Sequence, residues 1–494
     1  MPLIPIELPP GLKDNGTDLQ ARGRWHDANL VRWREGVMSP VGGWIERTTT
    51  GSSTSTTPRG AVAWQDNSSD RRVAFGSFDK LYAMTSGNVI SDITPTSFTS
   101  GNEDAVVNTG YGGSTYDTGM YGQARPDDGV YLEATTWSLD NYGQDLVGCS
   151  SEDGKIVKWP RTGVAAAISG APTSCSGLVV TEERFIFALG AGGDSRKVQW
   201  CDFEDDTTWT PASTNQAGSQ ILQSSGSIML GVSARGQTLI ITEIDAHRAL
   251  YAGPPLVYQF EKVGSACGAI SRKCAVDTEA GVFWMGQKSF FFFNGSTVQT
   301  VPCEIRDRIF LNMNNQQKSK IWAMAVSEAN EVWWFYPSAG SSEIDQYVSY
   351  NFEESHWSAG ALARSAGVDR GVFEYPIMFE PEDAEIYDHE VGYNYDSATI
   401  FAESGPIYDG SGERLINVKS IIPDERAQGD VSLTFKSRNY PNSSEASHGP
   451  YTLANPTSVR FQGRQVRMRV EGAKATEWRV GVFRADVSQA GRRG

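Results

Sequence analysis

The chain has 494 residues, 39% of them hydrophobic and 11% aromatic, with 51 glycines and a formal net charge of −16. It is too long for one ordinary core and too apolar for a disordered chain, and no stretch approaches the ~20 apolar residues of a membrane span. An acidic body repels phosphate, which argues against a protein that grips nucleic acid.

The charge is uneven. The first fifty residues balance and the last eighty are basic, so the acid is concentrated in the middle. Six cysteines are scattered without a C-x-x-C pair, the pattern of reduced thiols rather than of a zinc ribbon. The opening residues Met1 to Ile6 lack the basic start and apolar centre of a secretion signal, so the chain reads as made in a cytoplasm.

Residues 1–57 read as an extended arm. Pro2, Pro5, Pro9 and Pro10 rule out a helix and favour polyproline-like or edge-strand paths. Arg24, Trp25, Arg32 and Trp33 then alternate charge with aromatic surface. Such a set fits nucleic-acid stacking or a protein interface, and Asp27 and Glu35 among the arginines favour the interface. Residues 51–58 form a polar linker.

Residues 58–400 read as strand after strand. Hairpin-like units recur at 73–84, 146–159, 185–200, 239–251, 282–293, 332–350 and 377–389. Their spacing of ~40–50 residues is that of propeller blades, so the fold class is all-β with a propeller of six or seven blades; stacked β-sandwiches are the competing arrangement. Asn294-Gly295 after the four phenylalanines 290–293 signals a two-residue hairpin. Partial helical spacing of Ile305, Ile309 and Ile321 predicts a helix within 304–325. One interval, about 99–140, is too long; its glycine–tyrosine core holds Tyr111, Tyr116 and Tyr121 and reads as a projecting loop.

Residues 401–485 form a basic, strand-rich domain resembling a β-sandwich. There Gln465 to Val470 alternates apolar residues with Arg467 and Arg469, either a solvated face or a docking surface for an acidic partner. Residues 486–494 read as a flexible tail.

Chemistry is harder to find. The five histidines are far apart, and no HExxH, Walker A or GxSxG motif occurs. Leu189 to Ser195 is glycine-rich but lacks the third glycine of a dinucleotide fingerprint. The clusters Glu204-Asp205-Asp206 and Glu380 to Asp383 sit in turns, where solvated side chains outweigh an acid–base pair or a calcium site. The residues therefore point to no enzyme, no cofactor and no metal.

Several stretches together resemble the tail nozzle or tail hub proteins of short-tailed bacteriophages. They are Gly23-Arg-Trp-His-Asp-Ala-Asn-Leu-Val-Arg-Trp33, Val41-Gly-Gly-Trp44, Gly110-Tyr-Gly112, Gly119-Met-Tyr-Gly122, Thr135-Thr-Trp-Ser-Leu-Asp140, Val332-Trp-Trp-Phe-Tyr-Pro337 and His448-Gly-Pro-Tyr-Thr452. The resemblance implies a virion structural protein, a homohexameric ring below the portal and adaptor whose channel retains and ejects genomic DNA without sequence-specific binding. It implies contacts with head–tail adaptor, portal, and tail fibres or spikes. The arm and the C-terminal domain, with Arg24, Trp25, Arg32, Trp33, Arg467 and Arg469, would form the partner interface, and the tyrosine loop a gate. A propeller glycosidase or depolymerase and a receptor-binding tail adhesin are the alternative functions.

Overall fold

The structure, a computed structural model, describes residues 3–107, 131–382, 384–409, 414–472 and 475–490. The seven hairpin units are middle strands of seven successive sheets, antiparallel except that Thr50–Gly51 joins the first in parallel. The first strand of each sheet lies innermost: Ala61–Gln65, Trp137–Tyr142, Gly177–Val180, Ile228–Ala234, Ala275–Asp277, Trp322–Val326 and Ala366–Val368. Each packs against the next and the last against the first, so the body is a closed propeller of seven blades. Middle strands are covered on both faces by neighbouring blades, which is why they read as continuous apolar runs rather than alternating ones. Every residue of Glu331–Tyr336 in blade 6 is buried, and Trp333 stacks on Tyr347 at 4.4 Å.

The ring is closed by the N-terminal segment. Strand β5 (Trp44–Glu46) is the outer strand of blade 7, with Ile45 opposite Asp388 and Trp44 opposite His389. Here Gly43 passes so close to Asn394 that a Cβ would lie 2.5 Å from its carbonyl oxygen.

The arm is extended but does not stand free. Strand β1 (Leu3–Ile6) pairs with Phe483–Ala490, and β2 (Trp25–Asn29) with Phe401–Ser404. Strands β3 (Val31–Arg34) and β4 (Val37–Pro40) make a hairpin whose turn residues, Glu35 and Gly36, both have positive φ, as a type I′ turn requires. The C-terminal domain is a β-sandwich whose two sheets each contain one arm strand. One sheet is β1, Phe483–Ala490, Leu415–Ile422 and Thr457–Gly463; the other is β2, Phe401–Ser404, Gln465–Gly472, Val431–Arg438 and Ala446–Thr452. Alternate residues such as Val459 and Phe461 face Leu433 and Phe435 across the core. The region that reads as a tail from 486 carries the last strand on to Ala490, because its backbone pairs with Leu415–Ile422.

Three local expectations change. The Asn294-Gly295 hairpin has a four-residue loop, because the Asn294 side chain accepts from both Ser296 N and Thr297 N. The helix α1 (Arg306–Leu311) is only six residues long; a 3-10 turn follows at Asn315–Lys320, capped by Asn314, and Trp322 already begins blade 6. The insertion between blades 1 and 2 ends before Trp137, which is the inner strand of blade 2. Its stem is a short pairing of Val106–Val107 with Tyr131–Leu132. Among the described residues no helix is long and apolar enough to cross a membrane.

One core runs from blades 4 to 7 through the arm into the sandwich. Leu12 N–H donates to Trp357 O and Ala361 N–H to the Asn29 side chain, so the arm covers the outer edge of blade 6. All six cysteines are free thiols, five buried and Cys303 half-buried.

Candidate functional site

The expected partner-interface residues are already engaged within the chain. Arg24 pairs with Glu304 at 2.6 Å. Trp25 and Trp33 are buried, 6.1 Å apart, and Trp33 meets His356 edge-on. Arg32 grips Glu390 with both terminal nitrogens, at 2.7 and 2.9 Å, and reaches Glu331 at 3.1 Å. Arg467 and Arg469 do not form a solvated row. Arg467 bonds Asp18 of the arm and Arg469 lies over the Phe401 ring at 3.5 Å, while Lys436 donates to Glu403 at 2.7 Å between them. Arg24, Trp25, Arg32, Trp33 and Arg467 tie the arm to the propeller and the sandwich, and Arg469 is held within the sandwich. Tyr111, Tyr116 and Tyr121 lie outside the described residues.

The turn carboxylates are used locally. Asp205 accepts from Thr207 and Thr208 of its own turn, Glu204 pairs with Arg184, and Asp206 with Lys158. A second set resembles a catalytic triad in composition: Ser224, Thr242, His247 and Lys262 all surround Asp245. Both hydroxyls donate to the carboxylate and neither contacts the imidazole, so there is no nucleophile–base pair. The group ties the turn of blade 4. Burial opposes ionisation of Asp245, yet Lys262, Thr242 and Ser224 hold it at about 2. Burial pushes His247 down despite Asp245, keeping the ring neutral.

The place where chemistry converges is the propeller axis. Inner strands enclose a cavity of about 170 Å³ whose wall carries Arg59, Asp140, Arg272 and Lys273 among small and apolar residues. Sequence reasoning missed all four; the available signal was a charge on or next to an inner strand, as at the end of Thr135 to Asp140. Asp140 accepts from Val180 N at 3.0 Å and Asn141 N at 2.8 Å; burial outweighs those bonds and pushes it up to about 6. Burial likewise pushes the Lys273 amine down, with Asp140 opposing.

One end of the axis opens into a polar funnel that shares Asp140 with the cavity and is lined by Tyr142, Asp145, Lys158, Arg161, Glu182 and Arg184. The other end is crossed by the insertion stem. Gln317 accepts from Ala105 N–H and donates to Ala105 O, at 2.9 and 3.0 Å, and Ala134 N–H donates to Ser319. Lys320, almost fully buried, binds Asp104 of the stem at 2.5 Å and Glu343 of blade 6 at 3.0 Å. Glu343 in turn takes both terminal nitrogens of Arg59. Burial resists its charge, but Arg59 and Lys320 hold Glu343 at about 2.

No family model and no curated relative matches this sequence. Among solved structures the chain is similar to virginiamycin B lyase from Staphylococcus aureus, with 8% identity and a TM-score of 0.44 over 70% of this chain and 98% of that one. It is also similar to a streptogramin B lyase, with 8% identity and a TM-score of 0.41 over 70% and 97%, and to the β-propeller domain of Cps50 (Swd1) from Myceliophteria thermophila, with 10% identity and a TM-score of 0.40 over 72% and 99%. This likeness concerns the propeller fold alone. It corrects the expectation that the chain is not an enzyme: lyases stand among the proteins of similar fold, so missing sequence motifs do not exclude catalysis.

Proposed function

We propose that the chain is a structural subunit of a bacteriophage tail, a nozzle or hub protein that assembles as a hexameric ring below portal and adaptor and carries tail fibres or spikes. The observation that carries this reading is where the phage-resembling stretches fall. Gly23 to Trp33 and Val41 to Trp44 lie hundreds of residues before Val332 to Pro337, yet they meet at one joint, where Arg32 binds Glu331, next to the last stretch, and Glu390, and β5 closes the ring. The joint fuses propeller and sandwich through a shared core, leaving no hinge between them. A conduit that holds packaged DNA under load needs that stiffness.

The charge supports the same reading. DNA that must slide outward is slowed by every basic contact, and the acidic body supplies few. The axis of a single propeller, with its 170 Å³ cavity and crossed end, is far too narrow for a duplex, so the path for DNA lies between subunits.

The test is assembly. Purified chain mixed with its portal and adaptor is measured by light scattering and native mass spectrometry, and virions are imaged with an antibody against the chain. A hexamer on the adaptor and label on the tail are expected. A chain that stays monomeric with both partners, or label absent from virions, refutes the proposal.

A further inference from the structure

The cavity on the propeller axis has the wrong charge for its surroundings. The chain as a whole carries −16, yet three cations and one carboxylate line this space. Arg59 gives both terminal nitrogens to Glu343. The Lys273 ammonium makes no ion pair or hydrogen bond with any described residue, and Asp140, on the opposite wall, is met only by backbone N–H groups. Arg272 uses Nε on Glu133 at 3.2 Å and Nη1 on Ile228 O at 3.5 Å, which leaves Nη2 without a hydrogen bond. Lys273 is an enclosed cation whose countercharge, Asp140, is not within hydrogen-bond reach, a costly arrangement unless something polar meets it.

We propose that this cavity binds a small oxyanion, inorganic phosphate or a short carboxylate, held by Lys273 and Arg272. Its volume matches the occupant: a cavity of about 150 Å³ accommodates benzene, so about six non-hydrogen atoms fit. The way in is the polar funnel, because the insertion stem crosses the other end. Asp140 sits where funnel and cavity meet and opposes anion entry when ionised.

The experiment is calorimetric titration of the full chain with inorganic phosphate and, separately, with acetate. Saturable one-to-one binding of phosphate, acetate or both is expected, and the preferred ion sets the ligand class. Lys273→Met is expected to weaken binding at least about tenfold, the loss of one charge-assisted contact, and Asp140→Asn to tighten it. A second readout does not depend on a variant: acylation of Lys273, followed by peptide mass spectrometry, should be slowed by the bound ion. Failure to saturate with either ion, a Lys273→Met protein that binds like wild type, or acylation indifferent to phosphate and acetate overturns the proposal.

Discussion

Arg32→Met is the sharpest test of how the molecule is held together. Arg32 sits between two carboxylates, Glu390 and Glu331, with side-chain exposures of 11%, 17% and 4%. Glu331 also accepts from the Trp333 indole at 2.8 Å. Burial pushes Glu331 up, and the Arg32 charge is the main force holding it ionised. Methionine fills similar volume but strands two facing carboxylates, so the expected loss is about 3–5 kcal/mol, the usual cost of removing one member of a buried ion pair. Arg32→Lys keeps the charge but cannot bind both oxygens of Glu390, and should lose about 1.5–3 kcal/mol, the worth of a hydrogen bond to a charged group. The sign with pH is fixed. Without Arg32 the folded pKa of Glu331, already raised by burial, moves further above the unfolded value of about 4.3, so the deficit is full at pH 7 and shrinks as pH falls through the raised value. Denaturant unfolding followed by tryptophan fluorescence at pH 7 and pH 5 measures both. An Arg32→Met protein within about 1 kcal/mol of wild type at pH 7, where surface pairs lie, or one with the same deficit at both pH values, refutes the reasoning.

Three further outcomes are expected. Trp44→Ala empties a buried site in the closing strand and removes the bond to Asp396, at a cost of about 3–5 kcal/mol; proteolysis should then cut first between β5 and blade 1, and an unchanged digestion pattern would show that the ring closes without this side chain. Asp245→Asn should cost about 1.5–3 kcal/mol in equilibrium unfolding at pH 7. Because the folded pKa of Asp245 is depressed to about 2, its contribution is present above the unfolded value and is lost as pH falls from near 4 toward 2, so wild type and variant should converge there. Gln317→Ala removes both bonds to Ala105, and hydrogen exchange at the Ala105 amide should quicken by an order of magnitude or more while blade amides stay protected.

The middle strands of the blades were legible because physics writes them locally. A strand covered on both faces must be apolar throughout, and its turn partner follows within a few residues, as in 282–293 and 332–350. The inner strands were not, since some, such as Ala275–Asp277 and Ala366–Val368, are only three residues long and carry mostly small side chains. Closure was also out of reach. The pairing of Ile45 with Asp388 spans most of the chain, and nothing in either short segment names the other. The cavity charges were invisible for a different reason: Asp140 and Lys273 face each other only once blades 2 and 5 stand opposite across the ring.

The arm shows how a correct chemical signal acquires its meaning from topology. Arginines and tryptophans between 24 and 33 do form an interface, but the partner is the same polypeptide. Arg24 meets Glu304 beside α1, Arg32 meets blades 6 and 7, and Trp25 lies on a strand of the sandwich. Arg467 and Arg469 alternate as a solvated row would, yet Glu403 stands opposite Arg469 on the neighbouring strand, and Asp18 reaches Arg467 from the arm. A charge row on a strand is solvated only if the next strand and the nearest loop carry no countercharge, and those elements are fixed by pairings 60 to 450 residues away. These residues are engaged inside the chain itself. The outer face of the sandwich sheet containing Thr457–Gly463 is different: Lys419, Arg460 and Arg484 are exposed there without ion pairs among the described residues.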